Sequence, residues 1–341
     1  MKTMRVARLH GVGDIRLRDE PIPTLRPDES LLRVTAVGIC GSDLHWFAQG
    51  GIGDARLAQP LILGHEFAGV VESGELRGRR VAVDPQISCG KCEPCREGNP
   101  NLCLAHHFAG HGSDDGALRE WIAWHPDCLF PLPDALSDED GVMLEPLGIA
   151  LHAVDLAHLR PGMTVGVYGC GPIGLLIVQV ARISGAARVL ATEKLAHRRD
   201  AARASGAEVF VADGDEARAI LAATNGRGVD VAFEVAGENA ALETAIATAK
   251  FGGCVIWAGI PEDDRATITA SSVRRKGLTI KAVRRMKHTY PRAIDLVARK
   301  QVDVRSLVTH HFALENVGEA FAAAARREGI KVIVNSEAVR Q

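Results

Sequence analysis

The spacing of apolar residues divides the chain into three stretches. Through about residue 147 they fall in short runs at 31–37, 68–71, 80–83 and 121–124, set among glycines and prolines. Short apolar runs bounded by turn formers predict strands, so an irregular β-rich domain is expected here. From about 148 to 285 strand and helix patterns alternate. Strands are predicted at 164–168, 188–192, 208–211, 229–233, 254–258 and 278–283. Between them lie alanine-rich runs of helical period, such as IGLLIVQVARISG and KLAHRRDAARASG. Six strands with helical crossovers predict a doubly wound parallel sheet of the α/β class. Past Pro291 the order becomes helix (292–298), strand (307–309), helix (317–327) and strand (331–334). This tail is expected to return to the first domain. The expected division is therefore 1–147 completed by 286–341, and 148–285.

Composition narrows the function classes. The 341 residues suffice for two domains, and the 47% hydrophobic and 24% charged content is that of an ordinary globular protein. A net charge of −2 gives no support for a polyanion partner. Basic runs such as 274–276 and 284–285 lack the interleaved aromatics of a nucleic-acid surface. The first ten residues hold no apolar run of signal-peptide length. The longest apolar stretch, near 173–180, is broken by Gln179 and is too short to span a bilayer. A cytoplasmic protein with neither membrane nor nucleic acid as partner is expected.

Of eight cysteines, four stand in CGKCEPCREGNPNLC: Cys89, Cys92, Cys95 and Cys103, spaced C-x2-C-x2-C-x7-C. Thiols this close do not pair as disulfides without strain, because a bridge requires a defined Cα separation. Gly90, Pro94, Gly98 and Pro100 let the chain turn so that four thiolates converge on one Zn²⁺. A closed four-sulfur site has no open position and is expected to be structural. A disulfide knot or four unrelated thiols are the other readings.

Gly169-Cys170-Gly171-Pro172-Ile173-Gly174 follows the predicted strand TVGVY and opens a helix. Glycines there permit a tight turn and close approach of a pyrophosphate to the helix N-terminus. Glu193 ends the next strand, nineteen residues past Gly174. A carboxylate at that place accepts from ribose hydroxyls and repels a 2′-phosphate, which favours NAD. Lys194, Arg198 and Arg199 are the counter-signal, since they could hold a phosphate.

A second metal set is dispersed along the chain. Cys40 lies in GICGSDLH, His65 and Glu66 in LGHE, and Glu145 in LEP. A thiolate, an imidazole and a carboxylate can supply three ligands and leave a fourth position to water or substrate. Spacing alone leaves that combination open.

The segments GICGSDLHW, LGHEFAGVV, CGKCEPCREGNPNLC, DDGALREW, LEPLGIALHA, YGCGPIG and SLVTHHFALENVGEAF resemble, in order, the zinc-dependent medium-chain dehydrogenases. Within them the sequence is most similar to the polyol (sorbitol) dehydrogenase branch. That resemblance implies a GroES-like catalytic domain beside a Rossmann domain, an active site in the cleft, and oxidation of a secondary alcohol by NAD⁺. It implies two zinc ions per chain and a homo-oligomer, either dimer or tetramer. Cys40, His65 and Glu66 match the catalytic zinc ligands, and Glu145 a carboxylate that binds the metal directly or through water. Ser42 and His45 match a proton relay, with Asp43 orienting a ligand. Trp46, Phe108 and Arg285 match substrate-bordering positions. Ile173, Arg198, the turn Ala258-Gly259-Ile260, Val283 and Arg284 match cofactor contacts, and Arg285 reaches the cofactor too. Trp46 and Met286 stand where the polyol pattern has Tyr, which leaves the alcohol unnamed. An L-threonine dehydrogenase and a non-catalytic NAD-binding protein are the alternative functions.

Overall fold

The structure, a computed structural model, describes residues 2–336; the end of the tail, 337–341, lies outside the described residues. The chain forms two compact units. One holds residues up to 145, with 290–300 and 304 onward; the other holds 146–289 and 301–303.

The first unit is built on a seven-stranded sheet. Its order is Leu129–Pro131, Arg80–Val83, Glu66–Val71, Ser30–Gly38, Lys331–Asn335 and Val308–Ala313, with Trp121–Trp124 also paired to Ser30–Gly38. The tail thus re-enters the sheet: Ile333 lies opposite Gly38 and Asn335 opposite Ala36, antiparallel. The helix Tyr290–Ala298 is fixed at its start, where the Tyr290 hydroxyl donates to the Val83 carbonyl at 2.6 Å and its ring stacks on Phe130. Strand residues Leu32, Val34, Phe67, Val81 and Val83 point into one core with Leu63, Leu118 and Phe321. A hairpin, Thr3–Gly11 with Asp14–Pro21, was not foreseen. Its second strand keeps most of its side chains in solvent, so it offers no apolar alternation to read.

The second unit is a six-stranded parallel sheet. Its order is Glu208–Val211, Arg188–Glu193, Thr164–Tyr168, Val229–Glu234, Ala249–Trp257 and Thr279–Ala282. The strand order reverses between Thr164–Tyr168 and Val229–Glu234, where ligands of open α/β sheets bind. The strand expected at 254–258 begins earlier, at Ala249, because a register shift opposite Asp230 lets pairing continue back to Val229. Strands buried on both faces read as near-continuous apolar runs, which is why this sheet was legible in the sequence. The helix Pro172–Ile183 buries Leu175, Leu176, Val178 and Val180, with Gly171 as N-cap and Pro172 in the first turn, where no N–H is needed.

Candidate active site and metal centres

In the first unit the fold gathers three dispersed ligands. The ligand atoms of Cys40, His65 and Glu66 lie within 4.8 Å of one another. Cys40 caps the helix Gly41–Gln49, and its own N–H donates to Asp43 Oδ2 at 2.9 Å. Asp43 is buried. Its Oδ1 accepts from the Gly64 N–H at 3.2 Å and stands 3.4 Å from His65 Nδ1. One carboxylate therefore ties the cysteine segment to the histidine segment and orients the imidazole, a common task beside metal ligands. Ser42 Oγ lies 3.4 Å from His65 Nε2. Burial opposes an imidazolium at His65, but Asp43 and Cys40 outweigh it and raise its pKa well above the ordinary value.

Glu66 begins the strand Glu66–Val71, and its carboxylate needs space that only glycine leaves. A Cβ on Gly38 would sit 2.3 Å from Glu66 Oε2. Lys331 Nζ meets the same carboxylate, at 2.8 Å from Oε1 and 2.6 Å from Oε2, and donates to the Ile39 carbonyl at 3.2 Å. Lys331 is 2% exposed. Sequence reasoning missed it. The only signal was a lysine opening the otherwise apolar run KVIV, at odds with the rarity of buried lysine.

Glu145 is buried too, but it stands outside the 4.8 Å group. Burial pushes its carboxyl up to about 8, against the pull of His65. Phe108 lays its ring 5.4 Å from that of His65. Trp46 has no exposed surface; it sits in the first unit's core, 5.6 Å from the His111 ring and edge-on to it. His45 is half-buried and shares a 3.1 Å contact with Gln49 one turn along its helix.

The sulfurs of Cys89, Cys92, Cys95 and Cys103 form a second group within 4.8 Å. All eight cysteines are free thiols. Cys92 and Cys103 sulfurs are 3.8 Å apart. That is about the edge of a tetrahedron with Zn–S near 2.3 Å, so four sulfurs in this arrangement fit a zinc ion. The Lys91 and Cys92 N–H groups pull the Cys89 thiol down to about 6, which favours the thiolate that binds metal.

The glycine turn and its partners lie in the second unit. Gly169 has φ +104, and a Cβ there would meet Ala236 at 3.0 Å; a Cβ on Gly174 would lie 2.0 Å from the Gly169 carbonyl oxygen. At Gly171 the nearest such contact is Arg198 Nη1 at 3.7 Å, so the N-cap of the helix is left clear. An open N-cap at a strand-order reversal fits a pyrophosphate. Glu193 is buried and accepts from the N–H groups of Cys170 (2.8 Å), Lys194 (2.8 Å) and Leu195 (2.9 Å). It therefore braces the glycine turn against the next helix, and a carboxylate's four acceptor sites leave one for a ribose hydroxyl. The strand Ala249–Trp257 ends at Ala258-Gly259-Ile260, where Ile260 is exposed. Val283 donates to the Trp257 carbonyl at 2.8 Å, and Arg285 has φ +54.

A thiolate–imidazole–carboxylate set in a β-rich unit, with a dinucleotide-type turn in a parallel-sheet unit, defines a metal-dependent dehydrogenase. Family models agree: residues 26–134 match the alcohol dehydrogenase GroES-like domain and residues 172–299 the zinc-binding dehydrogenase domain. A sorbitol dehydrogenase of Bacillus subtilis is 36% identical, over 98% of this chain and 97% of its own. The L-idonate 5-dehydrogenase structure from Escherichia coli K-12 superposes with a TM-score of 0.90 at 25% identity, covering 98% of both chains. A Sinorhizobium meliloti structure solved with NADP bound has a TM-score of 0.89 at 31% identity, covering 98% of this chain and 100% of that one. The chain belongs to the zinc-dependent medium-chain dehydrogenases, in the polyol dehydrogenase branch. No helix among the described residues is long and apolar enough to cross a membrane.

Proposed function

We propose that this enzyme oxidises a secondary hydroxyl of a polyol or sugar acid, with NAD⁺ as hydride acceptor and two zinc ions per chain. The observation that carries the reading is the Cys40–His65–Glu66 cluster with Ser42 beside it. When bound, zinc supplies the Lewis acidity that makes an alcohol proton removable near neutral pH, and NAD⁺ supplies the hydride acceptor. Cys40, His65 and Glu66 would hold the metal, with Glu145 as a further carboxylate for it, either directly or through water. Asp43 keeps the His65 ring in one orientation. Ser42 Oγ takes the alcohol proton, and His45, whose two ring nitrogens can accept on one side and donate on the other, passes it towards solvent. Phe108 and Arg285 border the substrate; Trp46, expected there too, has no exposed surface and packs in the first unit's core instead. Cys89, Cys92, Cys95 and Cys103 hold the structural zinc.

Glu193 supports NAD over NADP, because a carboxylate held in place by three N–H groups has only acceptor positions to offer and repels a 2′-phosphate. The test is a panel of polyols, aldonates, inositols, threonine and butanediol with NAD⁺ and NADP⁺, beside a zinc assay. Turnover of a polyol or aldonate with NAD⁺, at two zincs per chain, is expected. Preference for threonine, or for NADP⁺, would overturn the corresponding part.

A further inference from the structure

One buried carboxylate has no part in that chemistry. Glu234 ends the strand Val229–Glu234, beside the reversal of strand order, and is 1% exposed. Its main-chain oxygen accepts from the N–H groups of Ala258 at 2.9 Å and Gly259 at 3.1 Å, in the turn after the neighbouring strand. Its Oε1 accepts from Ala236 and Gly237, each at 2.8 Å, in the turn after its own strand. A single residue therefore gathers four N–H groups from two turns.

The two turns touch where only glycine fits. A Cβ on Gly237 would lie 2.4 Å from the Ile260 carbonyl oxygen. A Cβ on Gly259 would lie 2.3 Å from the Gly237 nitrogen and 2.5 Å from Glu234 Oε2. Ala236 in turn backs Gly169 of the glycine turn. Oε2 itself has no hydrogen-bond partner. A buried polar atom left so is a cost to the fold. An apolar side chain would avoid that cost, but it would leave the Ala236 and Gly237 N–H groups without their acceptor and free turn 235–238 from the strand end, whose main-chain oxygen still holds Ala258 and Gly259.

We propose that Glu234 is a positioning residue for the nicotinamide half of the bound dinucleotide, joining turns 235–238 and 258–260 into one wall of the crevice. The inference rests on the dinucleotide reading of the glycine turn. Glu193 belongs to the strand on the other side of Thr164–Tyr168. A dinucleotide with its pyrophosphate over the glycine turn and its adenosine ribose at Glu193 must extend its other half over Val229–Glu234 and Ala249–Trp257. Burial also holds the Glu234 carboxyl above its ordinary range. An amide keeps the shape of a carboxyl and an oxygen that can accept from Ala236 and Gly237, so Glu234→Gln should preserve the wall and Glu234→Ala should not.

The experiment uses zinc-loaded wild type, Glu234→Gln, Glu234→Ala and Gly259→Ala. NADH binding is read by nicotinamide fluorescence, 5′-AMP binding by calorimetry, and melting temperature without ligand. Expected are NADH dissociation constants at least tenfold weaker for Glu234→Ala and Gly259→Ala, and within threefold of wild type for Glu234→Gln. The 5′-AMP affinity, which reports the adenosine half alone, should be alike in all four. Should Glu234→Ala not fold, Gly259→Ala carries the comparison, since its methyl wedges the same two turns apart. Variants that bind NADH like wild type would overturn the proposal alone. So would equal losses of NADH and 5′-AMP with a large fall in melting temperature, since the residue would then merely support the fold. A wild-type protein that binds no nicotinamide dinucleotide would overturn the cofactor reading and this one with it.

Discussion

Lys331 and Glu66 form the most deeply buried ion pair at the metal site, 2.6 Å apart and both nearly without exposed surface. Removing one partner of such a pair strands the other charge, at about 3–5 kcal/mol. Lys331→Met should therefore lower the unfolding free energy of the metal-free protein by that order, while Glu66, released from a competing cation, holds zinc more firmly against a chelator. A variant as stable as wild type would show that the pair contributes nothing to the fold. Asp230 is a second buried acid, bonded to Arg227, Lys250 and the Thr164 N–H. Burial raises its pKa, but these three partners outweigh burial and hold the carboxyl well below the ordinary range. Depressed in the fold, it stabilises the protein above its unfolded pKa, near 3.9, and that stability is lost as pH falls further. Asp230→Asn should cost about 2 kcal/mol at pH 7. In urea titrations the gap to wild type should close as pH drops below about 4; a gap that stays constant down to pH 2 would contradict the assignment. At this scale the sequence was legible where chemistry dictates residue type. The four-cysteine run can be picked out because few side chains ligate zinc, whereas Cys40, His65 and Glu66, dispersed along the chain, were singled out as a set only through the family resemblance. Lys331, Asp230 and Glu234 could not be, because their role comes from burial and partners that only the fold brings near.

The four-cysteine lobe has little besides its converging sulfurs to hold it. Its secondary structure is one short helix, Glu93–Arg96, and one 3-10 turn, Pro100–Leu102. Leu102 and Leu104 are exposed beside the buried Cys103, so the lobe has almost no apolar core. Without a core, its order would depend on the proposed zinc, as in small zinc modules. Cys92→Ser should thus release one zinc per chain and make the segment 89–104 the first to be cut by protease, while NADH still binds. An intact segment with one zinc missing would contradict a structural role. The same contrast explains which elements could be read in advance. The central strands of the parallel sheet fell close to expectation, since both their faces are buried and the apolar run is unbroken. The helix Gly41–Gln49 was not foreseen: GSDLHWFAQ carries metal-site chemistry on one face, which masks the helical period.

At the scale of the whole molecule the open question is what covers the edge of the parallel sheet. Ala249–Trp257, the strand that resembles the pairing element of this family, is second from that edge; Thr279–Ala282 lies outside it. A parallel edge strand left in water exposes a row of unpaired backbone groups, a template for another chain. A two-fold pairing of two such edges would continue the sheet and satisfy them. The direction of those groups follows from the ladder. The Val283 N–H donates inward to the Trp257 carbonyl. Backbone direction alternates along a strand, so the Ile280 and Ala282 N–H groups point away from the sheet. Proline tolerates an edge position whose N–H is not used by its own sheet. Ala282→Pro should accordingly leave the fold and the melting temperature of the isolated chain nearly unchanged, yet remove one donor from each side of the pair. Light scattering of the wild type across a dilution series should give a mass at least twice 36.4 kDa at micromolar concentration. Ala282→Pro should shift dissociation to at least tenfold higher concentration. A wild type that is monomeric throughout would rule out assembly altogether. A variant that dissociates like wild type would move the contact to another face, where exposed Phe251 on the adjacent strand is the next residue to test.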